Sequence, residues 1–69
     1  MVLLGEFDNF TDAIQVCNSI GARFKWTFPG VSENDKGKYE LSIDSENKAL
    51  IERMKNYVRG AQRAIKERN

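Results

Sequence analysis

In RFKWTFPGVSENDKGKYELSI, residues 23–43, apolar and polar side chains alternate twice. Phe24, Trp26 and Phe28 interleave with Arg23, Lys25 and Thr27. Tyr39, Leu41 and Ile43 interleave with Lys38, Glu40 and Ser42. A period of two marks a strand with one buried face. Pro29 lacks a backbone N–H and closes the first run, and Gly30, Ser32, Asn34, Asp35 and Gly37 supply turn chemistry. The stretch predicts an antiparallel hairpin with strands over 23–28 and 38–43 and a loop over 30–37. The aromatics then face inward, and Trp26→Ala is expected to cost about 3–5 kcal/mol, as for any emptied aromatic site in a core. Arg23, Lys25, Thr27, Lys38, Glu40 and Ser42 are left on the open sheet face.

Upstream, Val2–Phe7 is a short apolar run, read as a strand buried on both faces near its start. Asp8 and Asn9 offer caps for a helix. Its apolar positions Phe10, Ala13, Ile14, Cys17 and Ile20 recur at spacings of three and four, one face of an amphipathic helix. Gly21 is placed to end it. Downstream, Asp44 or Ser45 can cap a last helix, with Glu46 near its N-terminal dipole. At about 100° per residue, Leu50, Ile51, Met54, Tyr57, Val58, Ala61, Ala64 and Ile65 share one face.

The order β-α-β-β-α predicts one α+β domain over residues 1–69. Its two layers are a three-stranded sheet and two helices on one face, the C-terminal helix being the longer. The first strand lies either beside the third, antiparallel, in a split β-α-β arrangement, or beside the second through a right-handed crossover. The split form is the expectation.

Composition excludes several chemistries. The 69 residues hold no histidine and one cysteine. Imidazole acid–base catalysis, His-paired nucleophiles, an internal disulfide and a Cys/His zinc site are therefore ruled out. Cys17 falls on the apolar face of the first helix and reads as a small buried hydrophobe. Glu40 and Asp44 can share a strand face as paired carboxylates, although charges on a sheet surface also serve to block edge-to-edge aggregation. No phosphate loop, EF-hand or zincin motif is present, no cofactor is expected, and the chain reads as a non-enzyme. Lys36-Gly37 begins as the third strand of an RNA-recognition motif would, but Lys38 and Glu40 occupy the two stacking positions and no fourth strand follows. The longest apolar run, Met1–Leu4, is far short of a membrane span. A small domain with no covalent staple points to the reducing cytoplasm or to stability from self-association.

The formal net charge of +1 conceals an asymmetry: residues 1–45 carry −3 and residues 46–69 carry +4. On the last helix Lys48, Lys55, Arg59, Lys66 and, slightly off line, Arg63 lie opposite the apolar face, with Glu52 among them. Such a row follows phosphates or an acidic surface. A solvated face steadied by Lys48–Glu52 and Arg63–Glu67 pairs is the plainer alternative. The helix, about 34 Å long over residues 45–67, is also expected to overhang strands of about 23 Å. Gly60, Ala61 and Ala64 would then let a second copy approach. The leading expectation is a small, oligomeric binding protein that captures a nucleotide or nucleic acid through Lys55, Arg59, Arg63 and Lys66, acting by sequestration if the ligand is small. The alternative is an interaction module or inhibitor that docks an acidic protein through the same helix or an exposed strand edge.

Overall fold

The computed structural model describes residues 1–68. Along the chain run β1 (Val2–Phe7), α1 (Phe10–Arg23), β2 (Gly30–Glu33), β3 (Tyr39–Ile43) and α2 (Lys48–Arg68). The sheet order is β1-β3-β2 with both pairings antiparallel. This is the α+β architecture and the split arrangement expected from the sequence. Leu41 and Ile43 point from β3 into the layer between sheet and helices. They meet Ala13, Val16, Cys17 and Ile20 of α1 and Ile51, Met54 and Val58 of α2 in one core. Glu40 and Ser42 alternate onto the other face, opposite Glu6 and Leu3 of β1.

The β1–β3 register shifts between Leu3 and Gly5. This bulge leaves Leu4 buried and sets Gly5 beneath α2, where a Cβ would overlap the Val58 side chain. Leu3, expected to be buried, is 52% exposed on the open sheet face.

The segment after Ile20 differs from the alternating reading. Gly21 does not end α1, which runs on through Arg23. Phe24 lies four residues after Ile20 and so extends the helix's own apolar stripe rather than starting a strand. It caps α1, its N–H donating to the Ile20 carbonyl at 2.8 Å, and is buried. The chain then reverses through two left-handed residues, Lys25 (φ 56°) and Trp26 (φ 66°). The Trp26 N–H closes the turn on the Gly21 carbonyl at 2.7 Å, the six-residue closure of a helix C-terminus. No strand forms over 23–28. Trp26 is 79% exposed and Phe28 is 49% exposed, so two of the three aromatics assigned to the core lie outside it. The expected 3–5 kcal/mol cost of Trp26→Ala falls with that assignment. Phe28 instead lies over Gly21, in the space a Cβ there would need. The second strand occupies Gly30–Glu33, within the stretch read as a loop, and Arg23, Lys25 and Thr27 are not part of the sheet.

α2 also begins later than expected. Asn47, rather than Asp44 or Ser45, caps it: its Oδ1 accepts the Leu50 N–H at 3.1 Å. Ser45 Oγ accepts the Asn47 N–H at 3.1 Å and holds the approach. The last turns do not hang free of the domain. Ala61 and Ile65 pack against the core, and Arg68 reaches Asp12 of α1 at 3.1 Å.

Candidate functional site

α2 places the basic row as its periodicity requires. Lys48, Arg59, Arg63 and Lys66 are exposed and Lys55 is half-buried. Among the described residues the ion pairs are Lys38 with Glu6 (3.9 Å), Lys38 with Asp8 (3.4 Å) and Arg68 with Asp12 (3.1 Å). The Lys48–Glu52 and Arg63–Glu67 pairs that would have steadied a merely solvated face do not form. Within the row the guanidinium of Arg59 donates to Asn56 Oδ1, a neutral partner that leaves its charge uncompensated. Of the small residues, Gly60 and Ala64 are exposed while Ala61 is half-buried against the core.

Two hollows lie on the seam between β1 and α2. One, of about 390 Å³, is lined by Phe7, Asp12, Gln62, Ile65 and Lys66 among others. The other, of about 610 Å³, is lined by Val2 and Ile51 and by two lysines, Lys48 and Lys55, with two glutamates, Glu46 and Glu52. β1 has no neighbouring strand on this side among the described residues. Gln62 Nε2 donates to the Glu6 carbonyl at 2.9 Å and so occupies one acceptor of the open edge.

A second cluster of cations and aromatics sits where α1 ends. The Arg23 guanidinium lies 5.2 Å from the Tyr57 ring centre, and that of Arg53 lies 5.8 Å from the Phe24 ring centre. Trp26 and Phe28 follow in the turn beyond α1, 6.4 Å apart between ring centres and tilted by 41°. Lys25 is exposed at the tip of the turn. Left-handed geometry costs a non-glycine residue about 1–2 kcal/mol, and it occurs here twice in succession. The interleaved Arg23, Lys25 and three aromatics were the visible signal for this cluster. Arg53 carried none, because only α1's packing brings it there.

The carboxylates are organised differently from the pairing considered in the sequence. Asp44 lies exposed beyond β3, whereas Glu40 faces Glu6 across the β1–β3 ladder. Asn34 Nδ2 bridges the two, donating to Glu6 at 2.6 Å and to Glu40 at 3.2 Å. Asn34 Oδ1 accepts the N–H groups of Lys36 and Lys38 at 2.9 and 3.0 Å. One side chain thus shapes the β2–β3 turn and holds two like charges together, a structural role. Cys17 is buried, and its thiol donates to the Pro29 carbonyl at 3.2 Å. Burial pushes the thiol pKa above its usual value, which suppresses the thiolate a nucleophile needs. Among the described residues no group of three or more His, Cys, Asp or Glu side chains could hold a metal ion, and no helix is long and apolar enough to cross a membrane.

Comparison with protein-family models, with curated proteins and with solved structures returns no match to this chain.

Proposed function

We propose that this chain is a non-enzymatic binding protein for a phosphate-bearing polymer, a nucleic acid, held along α2 by Lys55, Arg59, Arg63 and Lys66. The observation that carries the reading is that none of these four cations has a carboxylate within 4 Å among the described residues. Four cations without a direct ion pair along one helix face repel one another, Glu52 among them offsets part of that repulsion, and a line of phosphates would relieve the rest. The four span about 16 Å at 1.5 Å per residue. A row of that length can meet several successive phosphates of one strand. That length, on a convex helix surface, suits a polymer better than a single nucleotide.

The test is an anisotropy titration with a labelled oligonucleotide at low salt. Arg59→Glu with Arg63→Glu should weaken binding at least a hundredfold, because each charge-assisted contact contributes about 1.5–3 kcal/mol and reversal adds repulsion. Unchanged affinity in the folded double variant would remove the row from the site.

One observation favours a second reading. β1 is an edge strand with hollows at both ends of its free side. An extended segment of a partner protein could add to it, meeting Lys48 and Lys55 together with Glu46 and Glu52. Such a module would bind no oligonucleotide under any salt condition.

A further inference from the structure

We propose that Trp26 is a stacking platform for an unpaired base, so that the polymer bound by this chain is single-stranded; this rests on the reading of α2 as a polyanion-binding helix. Trp26 is the one tryptophan in the chain and the most exposed aromatic among the described residues. Its ring stands clear because the backbone at Lys25 and Trp26 is left-handed and is closed by the bond from Trp26 N–H to the Gly21 carbonyl. Phe28, seated over Gly21, lies beside it at 41°. Together the two rings form an open V rather than a mutual stack, which leaves an indole face free. A base has a flat face to offer there only when it is not enclosed between neighbours in a duplex.

The charge around the rings selects the occupant. No Asp or Glu occurs between Asp12 and Glu33. Arg23 and Arg53 are braced over the Tyr57 and Phe24 rings, and Lys25 adjoins Trp26. Lys25 beside two exposed rings, on a stretch free of acidic residues, complements a ligand that carries planar groups and negative charge in alternation, as a single strand does. An apolar protein anchor would leave Lys25 unused.

The sole tryptophan makes the test direct. Trp26 fluorescence and labelled-strand anisotropy are followed with a 12-nucleotide thymidine strand, its duplex with adenosine, heparin, and vesicles of phosphatidylserine and phosphatidylcholine. The single strand should quench Trp26 and bind about tenfold more tightly than the duplex. Heparin should bind without comparable quenching. Trp26→Ala should weaken single-strand binding about tenfold and leave duplex and heparin binding unchanged. Trp26→Phe should retain most of the affinity. Circular dichroism melting of each variant serves as the control for folding. Equal affinity for strand and duplex, or an unaffected Trp26→Ala variant, overturns the stacking site while the α2 reading stands. Absence of binding to every polyanion overturns both. Quenching by vesicles with no response to oligonucleotides assigns the corner to a membrane surface and also overturns the proposal.

Discussion

At Gly5 a methyl group would overlap Val58, and its next neighbour would be Gln62, the residue that caps the β1 edge. Both lie on α2, so the glycine sets how closely that helix approaches the sheet. At Gly60 a methyl group would meet nothing within 4 Å. The same substitution therefore has opposite expected signs. Gly5→Ala should destabilise by about 1–3 kcal/mol, the usual cost of overpacking. Gly60→Ala should stabilise by about 0.5–1 kcal/mol, since an exposed helix interior gains from alanine. Paired urea melts would settle both, and a destabilised Gly60→Ala would mean that its open face is covered by something in solution. From the sequence alone the two glycines were indistinguishable in this respect. Gly60 was legible as a helix-interior glycine because α2 is long and periodic. The constraint on Gly5 arises only once the bulge and α2 have met.

At the scale of elements, legibility followed the number of periods a segment could satisfy. Tyr39–Ile43 alternates and fits no helix stripe, and it is a strand. The α2 positions Ile51, Met54 and Val58 fit only a helical stripe, and all three are buried. Residues 23–28 satisfied both, because Phe24 begins a period-two run and also continues the stripe of Cys17 and Ile20. Helix continuation won, since it adds a buried ring to an existing element. The reversal that follows uses left-handed Lys25 where glycine is the common choice, so composition gave no warning of it. This leads to a prediction for the α1–β2 connection. Lys25→Gly should raise stability by about 1 kcal/mol by removing a left-handed side chain, and should at the same time weaken oligonucleotide binding by removing a cation beside Trp26. A thermal melt and an anisotropy titration of the same variant measure the two effects. A variant that loses stability would show that Lys25 is held by contacts stronger than its backbone strain. One that gains stability with undiminished binding would take Lys25 out of the site.

For the whole molecule, the net charge of +1 is too small to draw a polyanion from a distance. Any attraction must come from how the charge is divided. Residues 46–69 carry +4 and residues 1–45 carry −3, and the Arg68–Asp12 pair cancels one charge of each, leaving +3 against −2. What remains is a basic helix beside a weakly acidic remainder of the domain. If Lys55, Arg59, Arg63 and Lys66 each neutralise one phosphate of a single strand, counterion release fixes the salt dependence. The logarithm of the association constant should fall against the logarithm of salt with a slope of about −2.8, at about 0.7 per phosphate. Replacing Arg59 and Arg63 with Gln, which removes charge without reversing it, should reduce that slope by about 1.4. Both side chains are exposed, so stability should shift by less than about 0.5 kcal/mol for each. Trp26→Ala should leave the slope unchanged, because stacking releases no counterions. A slope that does not respond to the double substitution but falls with Lys25→Gln would place the phosphate path on the aromatic corner alone, with α2 as an ordinary solvated face.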